Sequence, residues 1–213
     1  MPRCFGAPST VHSRFQEWVD AGVFARAHAA GLMAYDRSCG IEWEWQSADG
    51  AMTKAPLGGE KTGPNPTDRG KVGTKRSLLT DGRGQPLSIV VDGANVNDHL
   101  LLADTLDGIP IPHPDDDASE NICLDKGYDY PRVPGILEAR GYVGHVRTRG
   151  EEIVDLKTLP GYRARRWVVE RGHSWLNRFR RLLVRWEKKA ANYLALLQFA
   201  CAWQLFKTAE VSG

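Results

Sequence analysis

Residues 162–189 carry ten Lys or Arg against two Glu, and their apolar residues recur with the period of an α-helix. Placed at 100° per residue, Val168, Gly172, Trp175, Leu176, Phe179, Leu182, Leu183 and Trp186 form one apolar arc. Glu170 points directly away from it. Arg163, Arg166, His173, Ser174, Asn177, Arg181 and Arg185 lie around Glu170 on the polar face. A single carboxylate is thus held on a rigid element among cations. A polyanion lying across this face, with the carboxylate at its centre, explains the pattern. A basic amphipathic helix with Glu170 as an i,i+4 partner of Arg166 and Ser174 explains it as well, on this helix alone.

The chain has 213 residues, enough for one sizeable domain or one domain plus a small appendage. A hydrophobic fraction of 42% and seven Trp support a real core. The net charge of +2 does not itself announce a nucleic-acid partner, but the clustering of basic residues does. Cys4, Cys39, Cys123 and Cys201 are scattered without metal-ligand spacing, so a reducing compartment and buried free thiols at Cys123 and Cys201 are expected. No run of 18 apolar residues and no signal peptide is present, so the expected setting is the cytoplasm, with no membrane partner.

Residues 9–34 read as helical, capped by Ser9 or Thr10. Ile41–Ser47 alternates and reads as a strand ending near Asp49-Gly50. Residues 54–70, rich in Gly, Pro, Lys and Asn, read as a mobile loop. Strands near Lys75–Thr80 and Pro86–Asp92 flank Asp81-Gly82-Arg83-Gly84, a hairpin turn. A helix capped by Asn97 or Asp98 follows over Leu100–Leu106. Asn121–Asp125 reads as a buried strand, a helix runs from Pro131 or Pro134 to Arg140, and Tyr142–Arg147 reads as a further strand. The Glu170 helix comes next. The last helix, about 190–207, is apolar over most of its surface and is expected to be buried. The order α, then β-β-β-α-β-α-β-α-α, predicts an α/β fold with a mixed sheet flanked by helices.

Asp49 and Asp125 each end a predicted strand, where sites tend to assemble. If the first and fourth strands are neighbours, the two carboxylates converge, and the Glu170 helix can bring a third. Three hard oxygen donors without His or Cys favour Mg²⁺ or Mn²⁺. Two such ions about 4 Å apart can activate a water or a 3′-hydroxyl and stabilise a leaving phosphodiester oxygen. Each aspartate also suits a simple turn. Asp81, Asp92 and Asp98 read as turn or cap residues, Asp115-Asp116-Asp117 as a solvated loop, and His99 and His113 as surface residues. Serine-hydrolase, P-loop and dinucleotide patterns are absent.

Several motifs are shared with a known family: Ser47-Ala48-Asp49-Gly50, Gly73-Thr74-Lys75-Arg76, Thr80-Asp81-Gly82-Arg83-Gly84-Gln85-Pro86-Leu87, Gly93-Ala94-Asn95-Val96-Asn97-Asp98, Leu124-Asp125-Lys126-Gly127-Tyr128, and Arg166-Trp167-Val168-Val169-Glu170-Arg171 continuing through Ser174-Trp175-Leu176-Asn177-Arg178. On these motifs, from about 41 to 206, the chain resembles the DDE transposases of bacterial insertion sequences, in the group that includes the fourth and fifth insertion-sequence families. The resemblance implies a ribonuclease-H-like fold and metal-dependent cleavage and strand transfer of DNA. It makes Asp49, Asp125 and Glu170 the catalytic, metal-holding triad, with two Mg²⁺ or Mn²⁺ ions.

Lys75, Lys126, Arg166, Arg171, Trp175, Arg178, Arg181 and Arg185 are the expected DNA contacts. DNA is the implied partner, met by a homo-oligomer in a nucleoid-associated setting. Arg163 and Asn177 stand where the broader group often has Tyr and Lys. At the other end, residues 5–24 resemble only the tail of the family's N-terminal helical region. The expected division is therefore 1–40, a remnant of that DNA-binding region, and 41–210, the catalytic domain. A truncated copy and the second frame of a two-frame element, supplemented by a separate N-terminal polypeptide, are both consistent with this.

Overall fold

The computed structural model describes residue 4, residues 6–113, 120–146 and 167–212. Six strands form one mixed sheet: β1 (Trp45–Lys54), β2 (Gly63–Pro64), β3 (Val72–Asp81), β4 (Pro86–Gly93), β5 (Glu120–Leu124) and β6 (Tyr142–Val146). The described helices are α1 (Pro8–Asp20), α2 (Val23–Cys39), α3 (Asp98–Asp107), α4 (Val133–Glu138), α5 (Trp167–Leu176), α6 (Arg180–Leu183) and α7 (Ala190–Ser212).

The sheet order is β2-β3-β1-β5-β6, with β4 also paired to β3. β3 runs antiparallel to β1 and β4, while β5 runs parallel to β1 and β6 parallel to β5. An antiparallel three-strand half joined through β1 to a parallel half is the ribonuclease-H-like arrangement expected. Alternation along β3 divides the core. Leu79 packs with Leu87, Leu102, Leu106, Ile122 and Leu124. Leu78 packs with Ile89, Val91, Val169, Leu176 and Leu197. One face of β3 therefore carries α3 and the other carries α5 and α7.

Several expectations are corrected. The N-terminal helical run is two helices, broken at Ala21-Gly22, where Gly22 takes φ +67°, and its cap position is Ala7 rather than Ser9 or Thr10. β1 does not end at Asp49; pairing with β3 continues unbroken to Lys54. Asp81 opens the hairpin turn as expected, but its carboxylate faces inward. It is fully buried, accepting from the Tyr35 hydroxyl at 2.9 Å and from the Arg83 and Gln85 backbone N–H groups at 3.0 and 2.8 Å. His99 is buried and stacked on Tyr130, with ring centroids 3.7 Å apart. His113 is exposed as expected, and lies 2.9 Å from the Glu120 carboxylate. The last helix is buried on one side only: Phe199, Trp203 and Phe206, at helical spacing, are exposed.

The helix read through 162–189 is the largest correction. α5 stops at Leu176, α6 is a single turn, and Val184 is extended and bridges to Lys54. That extension turns Arg185 inward. Its guanidinium donates to the carbonyls of Glu187, Lys61 and Glu60 at 2.8, 3.1 and 2.6 Å and to Thr74 Oγ1 at 3.0 Å, and it is 1% exposed. Arg185 thus staples the segment after α6 to the 60–62 loop and β3, and it does not face DNA.

Removing such a buried, multiply bonded cation strands the carbonyls it satisfies. Arg185→Met is expected to lower unfolding free energy by about 3 kcal/mol, measured by urea denaturation, with duplex affinity at fixed salt unchanged. A fully stable variant with weakened DNA binding would return Arg185 to the interface.

Candidate active site

Asp49 lies mid-way along β1, opposite Leu78 of β3. On its other edge β1 pairs with β5 in the parallel register Ser47↔Cys123. Two residues further on, Asp49 and Asp125 project from the same face as that pair, because side chains repeat every second residue. β5 ends at Leu124, and Asp125 begins the 3₁₀ turn Lys126–Tyr128, its Oδ1 accepting from the Gly127 N–H at 2.7 Å. Both aspartates are half-buried.

The same face carries α5. The helix packs so closely that a Cβ on Gly172 would lie 2.9 Å from Leu78 and 3.4 Å from Thr80. One residue on, His173 Nε2 lies 3.1 Å from the Asp49 carbonyl oxygen. Glu170, three residues before His173, is exposed near the start of the described helix. At the other end of α5, buried Arg76 donates through Nη2 to Asn177 Oδ1 at 2.8 Å. These two bonds tie the Glu170 helix to β1 and β3. Asp49, Asp125 and α5 therefore share one face at one end of the sheet. Among the described residues, no three carboxylate, imidazole or thiol groups stand close enough to share an ion. The donors themselves are hard oxygens, which fit Mg²⁺ or Mn²⁺.

Electrostatics mark the same place. Burial pushes the Tyr128 phenol well above its ordinary value, and the carboxylates of Asp98, Asp49 and Asp125 push it further. Three carboxylates thus act on one fully buried hydroxyl. Burial pushes His173 down from 6.5 to about 3, with Arg76 adding to the effect. Its imidazole is neutral at physiological pH, and a neutral ring can donate Nε2–H to the Asp49 carbonyl.

The expected DNA contacts divide. Lys126 is exposed, with Asp129 at 2.6 Å. Arg171 lies 4.9 Å over the exposed Trp167 ring and donates to the Arg83 carbonyl. Arg178 is exposed, and Trp175, half-buried, meets Phe179 edge-on. Arg171, Arg178 and Trp175 line a cavity of about 370 Å³ that also touches Gly84 and Gln204. Exposed Arg181 pairs with Glu187 at 2.6 Å. Arg166 lies outside the described residues. Two expectations fail: Arg185 is buried as a staple, and Lys75 is buried against Asp98, with Nζ 3.0 Å from Oδ1. The basic-face placement of His173 fails too, since it is 6% exposed.

The sequence reading missed His173, Arg76, Asp98 and Tyr128. One signal was available: Lys75-Arg76 are adjacent cations inside a strand, so they must enter opposite faces of the sheet.

The family description "Transposase DDE domain" matches residues 45–205. The chain belongs to the DDE transposase family. It is 38% identical over 163 residues to a protein assigned as the transposase of insertion sequence element IS402 in Burkholderia cepacia, covering 73% of this chain and 74% of that one. Solved structures with some likeness include the catalytic domain of Mos1 mariner transposase, at 9% identity and TM-score 0.35, over 89% of this chain and 93% of that one. The Mos1 strand transfer complex gives 11% identity and TM-score 0.37, over 89% and 60%. Membership rests on the first two matches.

His173 makes a pH prediction. The folded chain excludes a proton that the unfolded chain binds below about 6.5, so stability falls as pH drops from 6.5 toward about 3. His28, lowered chiefly by burial, acts in the same direction. Between pH 7.5 and 5.5 His173 alone is expected to account for about 1.4 kcal/mol of lost stability. His173→Gln should remove that part of the loss in urea titrations at the two pH values. An unchanged pH slope would show that the imidazole is already protonated or exposed.

Proposed function

We propose that this chain cleaves DNA at the ends of an insertion sequence and joins them to a target, with Asp49, Asp125 and Glu170 as the metal-holding carboxylates. The observation that carries the reading is the parallel β1–β5 register, which sets Asp125 beside Asp49, on the face where His173 anchors the Glu170 helix to Asp49. These carboxylates would hold two Mg²⁺ or Mn²⁺ ions, which would supply an activated water or 3′-hydroxyl and stabilise the leaving oxygen of the phosphodiester. Asp49 and Asp125 are fixed by the sheet, so they would define the position of the centre. Glu170, on a helix laid over the sheet, would complete it.

Lys126, Arg171, Arg178 and Arg181 are the cations placed to meet phosphates, with Arg166 beside them in sequence. Such contacts position a duplex but carry no sequence information. End recognition is the work of a helix in the major groove, and the active form is a homo-oligomer on DNA.

Glu170→Gln keeps the shape and removes the charge. The variant is expected to lose cleavage and strand transfer by a factor of a thousand or so, on the order seen when a transition-state charge stabiliser is removed, while duplex affinity stays within about twofold of the parent. Joining of a labelled end to plasmid in Mg²⁺ or Mn²⁺, with a chelator control, measures this. Full activity in Glu170→Gln, or activity in chelator, removes the triad. Cleavage without any joined product would make the chain a nuclease.

Binding should also be salt-sensitive and weakly selective. In a competition at fixed salt, this chain alone is expected to prefer terminal repeats over random duplex by well under about a hundredfold, below the roughly thousandfold at which specific readout begins. A larger preference would place end recognition within residues 1–213.

A further inference from the structure

The Lys75–Asp98 ion pair lies on the α3 face, directly behind the strand segment that carries Asp49. Lys75 Nζ is 3.0 Å from Asp98 Oδ1, and the two side chains are 6% and 26% exposed. Both lean on Gly50. A Cβ at that position would lie 1.8 Å from Asp98 Oδ1 and 3.3 Å from Lys75 Cδ. The glycine after Asp49 therefore does not make a turn. It lets a carboxylate and a lysine stem close onto the backbone of β1, one residue from the Asp49 Cα and on the opposite face of the sheet. The buried Tyr128 phenol feels Asp98, Asp49 and Asp125 together, so Asp98 acts on the same small region as the two aspartates of the centre.

Burying a lysine and an aspartate is unfavourable, and their attraction offsets only part of that. Two apolar side chains would join β3 to α3 at least as well. They would not set the charge behind Asp49. We propose that Lys75 and Asp98 are a charge-setting pair for the carboxylate centre. Lys75 cancels Asp98, so the metal-holding carboxylates act without a further negative charge behind them, and the balance of the pair tunes how tightly the centre takes a divalent cation. Both are positioning residues and neither touches the reacting atoms. This rests on the metal reading above.

The test is a Mn²⁺ titration of the full chain by calorimetry, without DNA, at fixed pH and salt. Lys75→Met leaves Asp98 uncompensated and is expected to tighten Mn²⁺ binding about fivefold or more, the effect of one unit charge on a divalent ion across a strand. Asp98→Asn leaves Lys75 uncompensated and is expected to weaken binding by a similar factor. The double variant should return to within about twofold of the parent. A pair that only supports the fold would weaken binding in both single variants. Shifts in the same direction, or no shift in either, overturn the proposal while leaving the metal centre standing. A parent chain that takes no Mn²⁺ overturns the metal reading itself. Lys75→Gln and Asp98→Ser make the same charge changes, and replace either first variant if circular dichroism shows it unfolded.

Discussion

β1 must satisfy two unlike neighbours at once. Along one edge it exchanges antiparallel hydrogen bonds with β3 from Gln46 to Lys54, and along the other it pairs parallel with β5 from Trp45 to Ser47. The parallel ladder stops after three residues, while the antiparallel one continues. The β5 chain therefore leaves the sheet at Asp125, beside a β1 that is still held straight. Strand alternation then decides which helix Asp49 faces. A slip of one residue between β1 and β5 would send one carboxylate to the α3 side.

The second requirement is that α5 stay in register with the sheet. Apolar packing of Val169 and Leu176 on Leu78 supplies most of the contact, but such packing is not directional. Direction comes from polar groups one turn apart at the C-terminal end of the helix: His173 on the Asp49 carbonyl and Asn177 on Arg76. Arg76 is buried and Asp49 half-buried, so a sliding helix would cost a guanidinium and a carbonyl these partners. Asn177 thus has a structural use at the position where the broader family often carries a lysine.

Strand alternation, hairpin chemistry and motif order made the mixed sheet and its flanking helices legible in the sequence. What failed has a common cause. Lys75, His99, His173 and Arg185 are polar residues read as exposed, and the structure buries all of them. Helical periodicity could not show that α5 ends at Leu176, because the apolar arc continues through residues of α6 and the extended segment beyond it. The break reverses the direction of Arg185. Gly50 looked like a turn because the Asp-Gly pair usually signals one. Close approach by a side chain from α3, distant in sequence, is invisible to any local pattern.

The α1 and α7 helices meet through a hydrogen bond from Gln16 Nε2 to Asn192 Oδ1 at 2.9 Å, spanning 176 residues of chain. Lys189 Nζ reaches the same glutamine at 3.1 Å. Arg185 ties the 60–62 loop across more than 120 residues, and β1 waits for β5 across more than 70. Contacts this far apart in sequence close late, because loop-closure entropy must be overcome before they form. On a ribosome, β1, β3 and β4 can pair as soon as they emerge. α5 cannot dock on Leu78 until it has been made, and α7 must follow before the α5 face is covered. A partly synthesised chain thus holds paired strands with one face of β3 bare, and under the proposed reading its carboxylates come together only when almost all of it has been translated.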